Sequence, residues 1–387
     1  MKKTNSIETP IRILQVLTIM NRGGAETMIM NYYRALDKTK IQFDFLLHRF
    51  EEGAFDNEIL ALGGRIYHMP SINPLNYIKY KKKLNDFFKE HKEYKIVHSH
   101  LNALSSIILS VAKKNKVPVR IAHSHLAVAP YVVMNIFREN TDIIATIKDF
   151  IQSLIKFKVS ENATHFFACS KKAGEWLFGK NNSEKIIIIN NAINASLFSY
   201  NNDLAGKAKK SLNLFNKKII GHIGRFNEQK NHFFLIKIFK EIYDKDNDFH
   251  LVLIGDGNLR FLIEQEVKKL NIKNNVHFLG LQKDISFFLQ AFDLFLFPSL
   301  YEGLPVTLIE AQASGLKIIT SNTVTPEVNI TNLISFVSLD KTEKEWANLV
   351  IDNMTYERVN TEQIIIKMNY DILENANRLQ IFYLENN

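Results

Sequence analysis

One cysteine, Cys169, is all the sulfur chemistry that 387 residues offer, so no intramolecular disulfide can form. A reducing, cytoplasmic setting is the expected one. Long apolar runs are missing too: none approaches the roughly 18 residues that a membrane-spanning helix needs. The opening MKKTNSIETPIRILQVLTIMNRGG has the look of a leader only briefly. Pro10 and Arg12 interrupt it, the apolar run 13–20 is short, and no small-residue cleavage site follows. It is expected to form the first strand of a buried sheet. Neither repeats of fixed period nor low-complexity tracts occur. With 46% hydrophobic and 23% charged residues the composition is that of a soluble globular protein. The formal net charge of +9 favours an anionic partner: nucleic acid, anionic lipid or a phosphorylated metabolite.

The length implies two domains of roughly 150–200 residues each. Short strand-like runs alternate with amphipathic helical stretches. In the first half the strands are RILQVLTI, FDFLLH, RIYHMP, KIVHSH, RIAHSH and THFFACS; in the second they are KIIGHIG, FHLVLIG, VHFLG, LFLFPS and KIITS. Helices are expected at 25–36, 77–91, 231–243, 259–270 and 305–313. This alternation predicts an α/β fold with parallel sheets covered on both faces. The polar, asparagine-rich stretch 194–218 between the two series reads as the inter-domain linker and a lead-in helix. Ligands of doubly wound sheets bind outside the carboxyl ends of the strands, so motifs matter most where they follow one.

After the first strand, Gly23 and Gly24 precede a helix. Paired glycines let backbone N–H groups approach an anion at the helix's positive end, although a plain turn explains them equally well. Neither the Walker lysine pattern nor the spaced-glycine dinucleotide fingerprint is present. GHIGRFNEQKNH repeats the arrangement in the second half, with Gly224 ending a strand and Arg225 and Lys230 bracketing the turn. Such cations could clamp a diphosphate; the bland alternative is a pair of surface charges. Gly255, in LVLIGDG, marks a turn, and Phe278 to Leu281 end another strand where a nucleobase edge could be read. Two HSH pairs, His98 with His100 and His123 with His125, lie at strand ends, with a lone His165 beyond. Buried strand histidines are usually core residues, but alternate positions share one face. Zinc lacks a cysteine spacing or a third converging ligand set. The D-x-D in YDKDNDF precedes a strand and reads as a solvated loop. The stretches 77–95 and 143–158 interleave lysines with aromatics, which suits a solvated face opposite a core stripe or a membrane surface. No nucleic-acid module accompanies them.

FPSLYEGLPVTLIEAQASG (297–315) places Glu302 in a loop and Glu310 in the helix that follows. This E-x7-E spacing, taken with LQVLTIMNRGGAETMIMNYYRAL, RIAHSH, FFACSKKAGEWLFG, IIINNAIN, GHIGRFNEQKNH, LIGDG and VHFLG in that order, resembles the family 4 retaining glycosyltransferases. The likeness covers roughly residues 11–335 and is strongest to capsule and exopolysaccharide members. It implies a GT-B fold, two Rossmann-like doubly wound parallel-sheet domains facing across a cleft. Residues 1–200 would bind the acceptor and 201–370 the nucleotide sugar, with a terminal helix at about 371–387 packing back on the first domain. Carried over, Arg225 and Lys230 hold the diphosphate and Gly24 meets it from the other domain. Glu310 takes the ribose hydroxyls and Glu302 lies near the transferred sugar. The amides of 303–306, including Gly303, Leu304 and Val306, face phosphate or sugar. His123 contacts the sugar near the reaction centre, with His125 the fallback. One departure is Asn194, where the family turn ends in aspartate.

The expected reaction is transfer of a sugar from a nucleotide donor, a UDP-sugar, to a hydroxyl with retention. The acceptor is a glycan or lipid-linked sugar of cell-surface polysaccharide synthesis, and no metal or cofactor is required. Front-side attack would let the leaving phosphate take the acceptor's proton; a covalent intermediate is the mechanistic rival. A nucleotide-sugar epimerase, a phosphorylase or a catalytically silent partner subunit are the alternatives on this fold. The expected location is cytoplasmic, on an anionic inner membrane face where the basic stretches engage it, with no nucleic acid as partner.

Overall fold

The computed structural model describes residues 9–125 and 155–387. Contacts divide the chain into two units: the described part of Met1–Ala192 with Ile372–Asn387, and Ile193–Asp371. Each is a parallel sheet between helices.

The first sheet is built from β1 (Ile11–Leu17), β2 (Ile41–Leu47), β3 (Ile66–His68), β4 (Ile96–Ser99), β5 (Val119–Ser124), β6 (His165–Ala168) and β7 (Ile186–Ile188). Their order is β3-β2-β1-β4-β5-β6-β7, and every pairing is parallel. The second sheet comprises β8 (Lys218–Ile223), β9 (Phe249–Ile254), β10 (Val276–Gly280), β11 (Leu294–Phe297), β12 (Ile318–Ser321) and β13 (Ile334–Val337). Its order is β10-β9-β8-β11-β12-β13, again parallel throughout. Central strands such as IQFDFLL and FHLVLI are buried along their whole length, as a sheet covered on both faces requires. In each sheet the strand order reverses once, between β1 and β4 and between β8 and β11. Chain leaving those carboxyl ends diverges to opposite faces and leaves a crevice for a ligand.

The helix Gly24–Ala35 buries Met28, Ile29, Tyr32 and Tyr33. Beside it lies the chain's last helix, Ile372–Glu385, whose Ile372, Ala376, Leu379 and Tyr383 join the same core. In the second unit the helix His232–Tyr243 buries Leu235, Ile236, Phe239 and Ile242 around Trp346. One ion pair is built into the first unit's core: Asp44 on β2, fully buried, takes Arg12 of β1, the Tyr94 hydroxyl and the Arg65 amide.

Two expectations change. Residues 194–218 hold the expected lead-in helix but are not a linker, since the second unit already begins at Ile193. They hold the helices Ala195–Phe198 and Asn202–Ser211, each capped by an asparagine side chain, and they bury Ala195, Phe198, Ala208 and Leu214 in the second unit's core. Two of the asparagines that suggested a loop, Asn194 and Asn201, are N-caps. The strands β7 and β13 went unread; both are short edge strands, and Ile187 and Ile188 are exposed. Of the lysine–aromatic stretch 143–158, residues 143–154 lie outside the described residues.

Candidate functional site

The second unit's site forms where β8 and β11 lie side by side. After β8, Gly224 and Arg225 lead into a 3-10 turn, Glu228–Lys230, capped by Asn227, whose side chain accepts from the Lys230 amide. Asn231 then adopts the left-handed conformation, its side-chain nitrogen donating to the Pro298 carbonyl after β11. The Leu300 amide donates to the Gln229 carbonyl at 2.8 Å, and the Gln229 side chain donates to the Tyr301 carbonyl. These bonds staple the two strand-end loops together and bring Lys230 Nζ to 2.6 Å from Glu302 Oε1. The pair is largely shielded, with 14% and 8% of the side chains exposed. Lys230 also lies over the Phe297 ring, 4.5 Å from its centre. Arg225, by contrast, is exposed and has no ion-pair partner among the described residues.

Gly255 ends β9 at a positive φ of 139°, and a Cβ there would sit 2.0 Å from the Gly224 carbonyl oxygen. Only glycine allows that approach, so the β8 and β9 exits are packed backbone on backbone. Phe278 is partly buried at the end of β10, and Leu281, just past it, is exposed. Gly303 faces open space. The helix Val306–Ala313 follows Pro305, which occupies the capping position rather than the first turn, and no side chain caps that end. Its first N–H groups are thus free to meet an acceptor. Glu310 lies one turn further in. Its carboxyl makes no hydrogen bond or ion pair among the described residues, and burial pushes it up to about 7. A carboxylate so placed suits neutral hydroxyl donors.

In the first unit, Gly23 caps the helix Gly24–Ala35 without a side chain. Glu26 folds back over it, at 2.3 Å from where a Gly23 Cβ would stand, and burial raises its carboxyl's pKa. Gly24 has open space around it. The four paired histidines gather at the ends of β4 and β5. His98 stacks on His100 and His123 on His125, each pair 4.2 Å between ring centres. Burial, first, and neighbouring histidines hold His98, His100 and His123 well below the usual histidine range; burial takes His125 to about 4. At neutral pH all four are uncharged. Ring nitrogens of His98, His100 and His123 lie within 4.8 Å of one another. They suit a metal poorly, because the stacked rings do not aim their in-plane lone pairs at one point, His98 and His123 already bond to each other, and both His100 nitrogens are taken by His125 and Gln15. Gln15 and Tyr383 complete the cluster; Gln15 lies inside the first family-like block without being singled out by it, Tyr383 lies in none, and only the sheet register and the returning helix bring them together. His165 lies apart, edge-on to Phe382. The D-x-D aspartates are surface partners of lysines, Lys218 with Asp246 and Lys217 with Asp248.

Two open parallel α/β sheets, each with polar groups converging at the strand-order reversal, give the chain the two-domain architecture of the GT-B kind. The family model described as Glycosyltransferase Family 4 matches residues 22–197, and that described as Glycosyl transferases group 1 matches residues 206–368. The putative glycosyltransferase EpsF of Bacillus subtilis is 38% identical over 382 residues, 96% of either chain. The capsular polysaccharide biosynthesis glycosyltransferase CapH of Staphylococcus aureus is 27% identical over 361 residues, covering 88% of this chain and 90% of CapH. The crystal structure of Anabaena HepE in complex with UDP superposes with a TM-score of 0.75 at 16% identity, over 97% of this chain and all of HepE. The chain belongs to the family 4 glycosyltransferases and is related to enzymes of capsule and exopolysaccharide synthesis.

Proposed function

We propose that the enzyme moves a hexose from a UDP-sugar to a hydroxyl of a glycan or lipid-linked acceptor, with retention at the anomeric carbon. The observation that carries this is the Lys230–Glu302 pair at the second unit's strand-order reversal, accompanied by Arg225 and Glu310, neither of which is paired among the described residues. Arg225 and Lys230 take the diphosphate, whose charge grows as the glycosidic bond breaks. Glu310 accepts from the ribose hydroxyls. Glu302 meets the sugar, helped by the amides of Gly303, Leu304 and Val306, and Phe278 to Leu281 flank the base. Gly23, Gly24, His123 and His125 serve from the first unit, which holds the acceptor. HepE, of the same fold, has been crystallised with UDP and with UDP-glucose. The chemistry asks for position and charge rather than for a metal or a dedicated base. With front-side attack, the leaving phosphate takes the acceptor's proton.

Product analysis with a panel of nucleotide sugars tests the reading. Transfer with retained configuration is the expected result. Isomerisation of the donor, phosphorolysis or inertness towards every donor would replace it.

A further inference from the structure

The histidine cluster forms two hydrogen-bonded chains with one root. Gln15 Oε1 lies 2.8 Å from His100 Nε2, and His100 Nδ1 lies 2.8 Å from His125 Nε2. On the other side Gln15 Nε2 lies 3.5 Å from the Tyr383 hydroxyl, which is 2.7 Å from His98 Nδ1; His98 Nε2 is then 3.1 Å from His123 Nδ1. A neutral imidazole has one N–H and one lone pair, so the direction of any one bond fixes every bond beyond it.

That direction can be followed outward from Gln15. Its carbonyl oxygen can only accept, so His100 donates from Nε2 and accepts at Nδ1. His125 must therefore donate from Nε2, and its Nδ1 is left as an acceptor. The Gln15 amide nitrogen donates to the Tyr383 oxygen. The buried Tyr383 O–H then needs an acceptor, and His98 Nδ1 is in place. His98 donates from Nε2 to His123 Nδ1, and His123 is left with an N–H at Nε2. That nitrogen is buried and has no partner among the described residues.

We propose that Gln15 and Tyr383 are positioning residues that set the polarity of both chains, so that His123 presents an N–H donor, and His125 a lone pair, to the reacting sugars. The inference rests on the reading that His123 faces the substrate. A donor held at His123 suits an oxygen gaining negative charge as the donor bond breaks, and the orphaned nitrogen is supplied with a partner when substrate arrives. The device also makes the last helix, Ile372–Glu385, part of the chemistry of the first unit.

The test is ring-nitrogen NMR on the full-length enzyme with selectively labelled histidine, alongside transfer kinetics. In the unaltered protein His98, His100, His123 and His125 should all carry the proton on Nε2. Tyr383→Phe keeps the ring and removes the hydroxyl. It should mix the tautomers of His98 and His123, leave His100 and His125 as they were, and lower kcat roughly ten-fold, the scale of one lost hydrogen bond, with UDP affinity unchanged. Gln15→Leu should loosen the His100 and His125 pair in the same way. Nδ1-protonated rings in the unaltered enzyme would overturn the proposal, since the amide would then be turned the other way. So would a Tyr383→Phe enzyme with the His123 tautomer or kcat unaltered. The underlying reading fails separately: full activity in His123→Ala removes that histidine from the reaction whatever its tautomer.

Discussion

Lys230 Nζ lies 2.6 Å from Glu302 Oε1, joining the loops that leave the adjacent strands β8 and β11. Without a donor each charge satisfies the other, and little of either is exposed. Under the proposed function an arriving diphosphate would share or take the lysine, and its sugar would meet the carboxylate that the lysine has been holding. The pair would then couple phosphate binding to sugar positioning.

That coupling separates the effects of the two partners. A charge-assisted hydrogen bond contributes on the order of 1.5–3 kcal/mol. Lys230→Ala and Arg225→Ala should each weaken UDP binding by about ten-fold or more in calorimetry. Glu302→Gln should leave UDP affinity equal or higher, because Lys230 is released to the phosphates, while turnover falls. Equal losses of UDP affinity in Glu302→Gln and Lys230→Ala would mean that the carboxylate serves the nucleotide instead.

Glu310 carries a pH signature. Burial holds its carboxyl at about 7 in the folded protein, above the ordinary glutamate value of about 4.3. The folded state therefore binds the proton more tightly than the unfolded chain. The stabilisation is complete below the unfolded value and is lost as pH rises through about 7. Glu310→Gln keeps a neutral group at every pH. The ligand-free variant should match the parent near pH 5 and be more stable near pH 8, by on the order of 1–3 kcal/mol. Ribose hydroxyls that donate to the carboxylate favour its ionised form, so UDP should narrow this gap in the parent enzyme. Thermal melts across pH, with and without UDP, check both statements; parallel curves for the two proteins would rule out the unpaired carboxyl.

Much of this was legible because the patterns are local. The buried strands are continuous apolar runs, and the glycine and basic turns follow them directly, so β8, its turn and the helix after Pro305 could be read from spacing alone. Edge strands were harder. Ile186–Ile188 and Ile334–Val337 are too short to show a period. Asn194 and Asn201 look like loop residues until the helices they cap are seen. The histidine cluster was visible as two HSH pairs, yet its direction depends on Gln15 and Tyr383, 368 residues apart. No spacing rule reaches that far.

Asp44 should prove the most sensitive point in the first unit's core. It is fully buried and satisfies Arg12, Tyr94 and the Arg65 amide at once. Asp44→Ala leaves the Arg12 guanidinium without its carboxylate and the Tyr94 hydroxyl with only the longer contact to Tyr67, so stability should fall by about 3–5 kcal/mol. Tyr94→Phe removes one bond and should cost about 1 kcal/mol. Urea unfolding followed by fluorescence measures both. A mild effect from Asp44→Ala would mean that water reaches Arg12.

The helix Tyr77–Glu90 bears on where the enzyme works. Tyr80, Leu84 and Phe88 are buried, and Phe87 packs against Tyr67 and Tyr94, so neither phenylalanine is available for insertion. The apolar groups that face outward are instead Leu75, wholly exposed, and Ile78, 85% exposed. Lys79, Lys82 and Lys83 are exposed on the same stretch, and Lys81 lies over the Tyr77 ring. No helix among the described residues is long and apolar enough to cross a membrane; with the proposed lipid-linked acceptor, this exposed stretch would be the part that meets the membrane surface. Each lysine near an anionic leaflet contributes about 1 kcal/mol, an attraction that fades within a Debye length of about 8 Å at physiological salt. Two exposed side chains inserting at the interface would add an apolar share that salt does not screen. Sedimentation with anionic vesicles should therefore show binding that weakens steeply with salt. Changing Lys79, Lys82 and Lys83 to glutamine should abolish most of it, while Ile78→Glu should weaken it even at low salt. Transfer to a short soluble acceptor should be unaffected in both variants. A protein that stays in the supernatant at low salt would confine this helix to covering the sheet.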